Sequence, residues 1–400
     1  MLKKLHISTL TLIILFGLVI SGKILFEIDP LQPLEYKVYD SLLRLRKPEA
    51  ATQVVVLAID NKSIQSIGSW PWPRSYIASV VRRLTGAGTH TMGLSLLYPS
   101  KEINPGLEEI RFIKQSLPRK PSKAERKSLN EISDNLTEAL KRLDHDQQLI
   151  SAVRAARRVV LPLRFTLEDS PSIKPPPLSV WLGLNSIDST SSSNDQQGLN
   201  HSDSLYRGIL KARNITVSGL IQPYEELSKK AGALGHTNLI AESDGVVRKM
   251  PLLINYLSRD FLSFGLQVAR KYSGVTLKDI KTGSSRLDLK RLSIPTEKNH
   301  GMFIDFSGQN TNIRQISILD LMNGKILPEA FQRKVVLIGM TAEGISPRYK
   351  TPLNSSISEV EIEANVVENI INGKFISRPA WVFALEILAL LYFGFFLLFV

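Results

Sequence analysis

Few side chains in this 400-residue sequence stand where chemistry is usually done. Asp60 ends the apolar, β-branched run QVVVLAID at residues 53–60, with Asn61 and Ser63 just after it. A carboxylate at the carboxyl end of a buried strand is where open α/β sheets place ligand groups. The same position also suits a cap for the following helix. Arg74 follows Trp70-Pro71-Trp72-Pro73. Two prolines and two indoles can hold its guanidinium ready for an anion, or simply build a rigid turn. Asp244-Gly245 with Arg248 reads as a hairpin turn with a pairing charge, or as an ion pair closing over a sheet edge. Glu361, Glu363 and Glu368 share one helical stretch, as a ligand face or as solvated helix acids. If these groups serve one pocket, Asp60, Arg74, Asp244 and Arg248 meet at one end of the sheet. The alternative is a salt-bridge network without a ligand.

Other chemistries are excluded by what is missing. The chain has no Cys, which removes disulfides, thiolate metal sites and thiol catalysis. Its six His never pair at i, i+4, and HExxH is absent. No GxxxxGK[ST], GxGxxG or GxSxG occurs, so nucleotide cradles and a nucleophile elbow have no support. No nucleophile–base pair is visible, so the chain is not read as an enzyme, and a hydrolase built on Asp60 ranks last. No metal and no cofactor is expected.

The elements that would carry these residues alternate in type. Strands are expected at residues 53–60, 90–98, 158–165, 302–306 and 334–340, and helices at 75–84, 146–157, 261–271, 316–322 and 359–371. Pro73 suits the first position of the first helix. An antiparallel pair is expected at 233–240 and 246–256, around Ser243-Asp244-Gly245. The series predicts an α/β fold: a mostly parallel sheet with helices on both faces plus an antiparallel pair, flanked by transmembrane helices. Two stretches interrupt it. Residues 111–142 are polar and basic, with an exposed helix at 122–142. Residues 170–214 are rich in Ser, Pro, Asn and Asp and read as a long surface loop. Both look dispensable for folding, and no internal repeat is visible.

The two ends are apolar. Residues 1–26 hold Lys3 and Lys4 followed by an uncharged run from 7 to 20. That fits an anchor better than a cleaved signal segment. Residues 379–400 form about one membrane thickness of apolar sequence with one acid, Glu386. That run reaches the last residue, as in a truncated product or a piece of a longer membrane protein. Lys3 and Lys4 place the N-terminus inside, which puts residues 27–378 outside, in a bacterial periplasm, and the chain at the inner membrane. The net charge is +13, from 50 Lys+Arg against 37 Asp+Glu. Aromatics are not interleaved with these charges, so anionic lipid or cell-wall polymer is a better partner than nucleic acid.

Several segments together resemble the CHASE type 2 family of extracellular sensory domains. They are YDSLLRLR from Tyr39, VVVLAIDNKSIQSIGSWPWPR, HDQQLISAVRAARRVVLPL, GALGHTNLIAESDGVVRKMPL, KVVLIGMTAEG, and TPL followed by EVEIEANVVENII. They run in the family's order over about 40–371. The chain departs from the family pattern at Ser95 and Pro347, where Asp is usual. It departs also at Glu363-Ala364-Asn365, where His-Ala-Asn is usual, and at His145, where an acid is usual. The polar positions that match are Asp60, Arg74, Asp146, Asp244, Arg248, Glu361 and Asn365, and the resemblance makes these the ligand-binding candidates. It implies a membrane-anchored sensory module detecting an unidentified small-molecule or envelope ligand. The stimulus would be relayed through transmembrane helices to a cyclase or kinase output domain outside this chain, with a homodimer as one arrangement. The alternative is a degenerate sensor serving as an envelope interaction module or scaffold.

Overall fold

The computed structural model describes residues 32–46, 53–118, 126–168, 178–188, 216–283, 285–297, 300–306, 313–377, 388 and 392. The described elements begin with α1 (Gln32–Leu45), β1 (Val54–Ile59), α2 (Asn61–Ile67), α3 (Arg74–Gly86) and β2 (Thr91–Leu94). Next come α4 (Pro105–Gln115), α5 (Arg126–Leu143), α6 (His145–Ala156), β3 (Val159–Glu168), α7 (Val180–Gly183) and β4 (Ser186–Asp188). The middle holds β5 (Thr216–Ile221), α8 (Glu225–Ser228), β6 (Ala233–His236), β7 (Lys249–Pro251), β8 (Leu253–Tyr256), β9 (Arg259–Leu262) and α9 (Phe264–Tyr272). Strands β10 (Ile280–Thr282), β11 (Arg286–Leu289), β12 (Leu292–Pro295), β13 (Gly301–Phe303) and β14 (Arg314–Ser317) follow. The last main elements are α10 (Ile318–Met322), β15 (Val335–Met340) and α11 (Glu359–Asn372).

The central sheet runs β14-β1-β15-β2-β3-β5, with β6 also on β3. All of its pairings are parallel except β3 with β5. Its central strands are apolar at consecutive positions because both faces are covered. Successive side chains point to opposite faces. Val55, Leu57, Ile59, Val336 and Ile338 therefore pack with Ile77, Val81, Leu149 and Val153 of α3 and α6. Val54, Val56, Ala58, Val335 and Leu337 pack with Phe264 and Val268 of α9 and with Val360, Ala364 and Val367 of α11. A second core forms on the far side of α11. There Ile362, Val366 and Ile370 meet Met250, Leu253, Leu287, Ile294 and Met302 from the small antiparallel sheets. Helix α11 approaches the central sheet closely over Gly339. A Cβ there would sit 2.6 Å from the Cβ of Val360, so glycine is required.

The parallel sheet with helices on both faces agrees with the sequence reading, but several details differ. The expected antiparallel pair at 233–240 and 246–256 does not form. The stretch ALGH of β6 is buried throughout and joins the central sheet parallel to β3. The second stretch divides at Pro251-Leu252. Strand β7 pairs with β13 and β8 with β9, both antiparallel. Pro73 is the N-cap of α3 rather than its first helical residue. The strand expected at 90–98 stops at Leu94, since 95–104 form the loop before α4. Both runs expected to span a membrane, 1–26 and 379–400, lie outside the described residues save 388 and 392. Among the described residues no helix is long and apolar enough to cross a membrane.

The two interruptions behave differently. Helices α4 and α5 form an exposed hairpin. Leu107 is the one buried residue of α4, and α5 has none. The expected surface loop at 170–214 is not loop throughout. Its part 178–188 builds α7 and β4, β4 pairs with β9, and Leu182 is buried in the first core. Asn185 also accepts from the Leu234 N–H at 3.0 Å. Replacing 111–142 with a short Gly/Ser linker should leave one cooperative thermal transition, because little apolar area is lost. Leu182→Ala should lower stability by about 2–5 kcal/mol in denaturant titration. The opposite ranking would show that the hairpin belongs to the core.

Candidate functional site

The carboxyl edge of the parallel sheet carries a concave feature that strand ends and a helix start build together. Pro162 and Arg164 alternate with Leu161 and Leu163, so they leave the first core and face the α11 side. Thr237 follows β6 and is held by its N–H to the Leu163 carbonyl at 3.0 Å. Ser95 follows β2, with its N–H on the Ile338 carbonyl at 2.8 Å. With Met340, Pro347, Trp70 and the first residues of α11, Glu359 and Val360, these groups line a cleft of about 210 Å³. Most of the lining is apolar, and the charge in it is one ion pair. The Arg164 guanidinium donates through Nη2 to Glu359 Oε2, and also to Thr237 Oγ1 at 3.4 Å. Burial opposes the charge on Arg164, but Glu359 outweighs it and raises the guanidinium pKa. Tyr349 O–H donates to the same Glu359 oxygen at 3.4 Å. Among the described residues, Arg164 Nε and Nη1 have no hydrogen-bond partner.

Two ionisable groups lie just beneath the lining. Glu363, one turn below Glu359, is fully buried against Gly265, and neither of its oxygens has a described hydrogen-bond partner. Burial, reinforced by Glu359 and only partly offset by the Gly265 backbone and Arg164, pushes its pKa well above the usual carboxylate value and favours its neutral form. His236, next to Thr237, is also fully buried with both ring nitrogens unpartnered. Burial pulls its pKa down to about 3, so its ring is neutral.

The residues that sequence reasoning singled out do not meet in this cleft or in any one place. Asp60 caps α2. It accepts from the Ser63 N–H at 2.9 Å, from the Ser63 hydroxyl, and from the Ser317 hydroxyl at 3.1 Å. Arg74 is buried on the α3/α6 side. It pairs with Asp146, donates to the Ser100 carbonyl, and lies 4.9 and 5.2 Å from the rings of Tyr98 and Tyr224. Glu102 accepts the Arg74 N–H at 3.0 Å, and Asp146 accepts the Glu102 N–H at 2.9 Å. Nδ1 of His145 lies 2.8 Å from Glu102. This closed set ties the loop after β2 to both helices.

Arg248 makes a third cluster, far along the chain from the others and sharing no partner with them. Its side chain is 1% exposed. It donates to both oxygens of Asp40, at 2.9 and 2.8 Å, and to both oxygens of Asp244, at 3.0 and 2.8 Å. The Tyr36 ring stacks on it at 4.4 Å. Burial alone would lower the Arg248 pKa, but the two carboxylates reverse this and raise it. The Arg248 bonds in turn lower the pKa of Asp244. Gly245 takes φ 76°, the left-handed conformation the turn needs, and brings Asp244 back to Arg248. The cluster pins α1 to the domain.

The helix acids divide as well. Glu361 completes a capping box with Ser358, accepting its N–H at 2.9 Å, and accepts from Gln315 at 2.6 Å. Asn365 donates to the Glu361 carbonyl at 2.8 Å. Glu368 is buried and accepts the Val54 N–H at 3.1 Å. The solvated reading therefore fails for Glu363 and Glu368, because α11 is covered on both sides. Arg164, Glu359 and Thr237 escaped the sequence reading. One signal was available: Arg164 is the one cation within β3, in phase with Pro162 rather than with the core.

A family model described as the CHASE2 domain matches residues 10–399. No curated protein and no solved structure matches the chain significantly. Of the departures from the family pattern, Ser95 and Pro347 both line the cleft.

Two outcomes follow. Arg248→Met should cost about 3 kcal/mol by leaving two carboxylates without their cation, and should expose α1 to proteolysis near residue 46. An unchanged digestion pattern would show that the cluster does not hold α1. Stability should also fall as pH drops below 6.5. The unfolded chain then protonates His236, while the folded chain holds it neutral down to about pH 3. This one group gives a slope of about 1.4 kcal/mol per pH unit. In thermal melts His236→Leu should remove that share of the acid loss, and an identical acid limb in the variant would contradict the assignment.

Proposed function

The chain belongs to the CHASE2 family of extracellular sensory domains, and from that premise we propose that it is a membrane-anchored signal-input module whose stimulus enters at the cleft. The observation that carries this reading is the course of α11. Its first two residues line the cleft. Its fourteen residues rise about 21 Å at 1.5 Å each. The chain after it then bridges Ile376 to Phe303 of β13. Tyr39 of α1 packs on that same Phe303, ring centres 5.4 Å apart. The segment leading in from the first apolar run and the segment leading out to the second thus meet at one aromatic residue. A change at the cleft that moves α11 reaches both.

In this reading residues 1–26 and 379–400 anchor the domain in a bacterial inner membrane. Residues 27–378 face the periplasm, and the relay runs through the two apolar segments to an output domain. The domain itself acts by binding and movement rather than by catalysis. An interaction or scaffold role has one observation in its favour: Phe112, Ile113 and Ile132 stand exposed on the α4–α5 hairpin.

The test is a chimera of the full chain with a diguanylate cyclase output. Filling the cleft with Ser95→Trp should fix output at one level across growth conditions that change it in the parent. Expression and melting temperature should be close to the parent's. Replacing hairpin residue Phe112 with Ser should leave the response intact. A Ser95→Trp chimera that responds normally, beside a Phe112→Ser chimera that does not, would favour the scaffold role.

A further inference from the structure

We infer that the cleft takes a free α-amino acid with an apolar side chain, bound as its zwitterion; this rests on the cleft being the input site. The first argument is charge. The cleft presents one cation, Arg164, and one anion, Glu359, paired to each other. A bound monoanion would have to draw Arg164 away and leave Glu359 unpaired in a largely apolar setting. A bound amine would leave the half-buried Arg164 to water and gain no second charged contact. Taking the cation away from the largely buried Glu359 is costly, whereas exchanging the pair for two matched pairs is not. A zwitterion makes that exchange, with its carboxylate on the guanidinium and its ammonium on Glu359.

The second argument is the unused donors. Arg164 reaches Glu359 through Nη2, and its Nε and Nη1 have no described partner. A carboxylate that takes Nη2 from Glu359 completes a planar fork with Nε or with Nη1, as Asp40 and Asp244 do on Arg248. The hydroxyls of Ser95 and Thr237 line the same space. The third argument is shape. At about 210 Å³ the cleft is smaller than the roughly 300–1,000 Å³ of drug-sized sites, which points to about ten heavy atoms. Trp70, Met340 and Pro347 offer the apolar wall for a side chain. Glu363 below is fully buried, which raises its pKa and disfavours a second negative charge beneath the cleft.

The experiment uses the full chain in lipid nanodiscs, with calorimetric titration and thermal melting. The probes are L-leucine, L-phenylalanine, 3-phenylpropionate and phenethylamine. The last two are phenylalanine without its ammonium and without its carboxylate. Saturable binding of at least one amino acid is expected, with a higher melting temperature. Both stripped probes should bind at least about tenfold more weakly than L-phenylalanine, the loss of one charged hydrogen-bonded group. Arg164→Gln should weaken amino-acid binding by a similar factor, and Glu359→Asp, which keeps the charge, should weaken it less than Glu359→Gln. If 3-phenylpropionate or phenethylamine binds as tightly as L-phenylalanine, the zwitterion assignment is wrong while the cleft stands as a site. If none of the four binds at millimolar concentration, the assignment is likewise wrong. The Ser95→Trp chimera then decides separately whether the cleft is the input site.

Discussion

A helix buried on both sides is the constraint from which most of this structure follows. Helix α11 lies between the central sheet and the small antiparallel sheets, with Val360, Ala364 and Val367 on one and Ile362, Val366 and Ile370 on the other. Every polar side chain on such a helix must find an internal partner or give up its charge. Glu361 turns back to cap the helix, and Glu368 takes the first N–H of β1. Asn369 exchanges bonds with the backbone of Asp305, at 2.8 and 3.0 Å. Neither oxygen of Glu363 has a described hydrogen-bond partner, and burial raises its pKa. The small sheets, the start of β1 and the exit strand are thus all fixed with respect to one helix.

The motifs that carry the family resemblance are paired with one another. Arg74 of SWPWPR closes on Asp146 of HDQQL. Arg248 of DGVVR closes on Asp40 of YDSLLRLR. Asn238 of GHTN replaces a strand partner, exchanging bonds with the backbone of Phe165 at 2.8 and 2.7 Å. Each pairing joins segments distant in sequence, and each cation is buried and neutralised by carboxylates. Such pins add little stability compared with an apolar substitute, but they admit one arrangement of the elements they join. A sensor needs this, because a defined shift at one place must appear as a defined shift elsewhere.

The parallel sheet was legible because its strands are continuous apolar runs spaced by helical periods, as at 53–60 and 334–340. The placement of β6 was not. The four residues ALGH before a turn signal fit a hairpin as well as a sheet, and the partner β3 lies some 70 residues earlier. Residues 280–295 carry no strong period, yet they form the three-stranded β10–β12 sheet. Among site residues, charge and motif drew attention to Asp60, Arg74 and Arg248, which hold the fold. The cleft residues Arg164 and Glu359 look ordinary in sequence. What distinguishes them is where the sheet edge and the start of α11 meet, and that is a property of tertiary contact.

The same geometry limits how a signal could leave the cleft in the proposed reading. Val360 sits on Gly339 with no room for another carbon, so α11 cannot move toward the sheet at its first turn. Its far face is packed by Met302 and Leu287, and packed interfaces shift between discrete arrangements rather than deform smoothly. A ligand that replaces the Arg164–Glu359 pair therefore acts on the helix end through Glu359. The motion left open is a slide or tilt of the whole helix, with the small sheets moving along with it. Phe303 belongs to those sheets, and both Tyr39 and Ile376 rest on it. Arg248 meanwhile keeps α1 tied to the turn before β7, the strand that pairs with β13. The entering helix and the exit strand would then change position together, as a relay through two adjoining membrane segments requires.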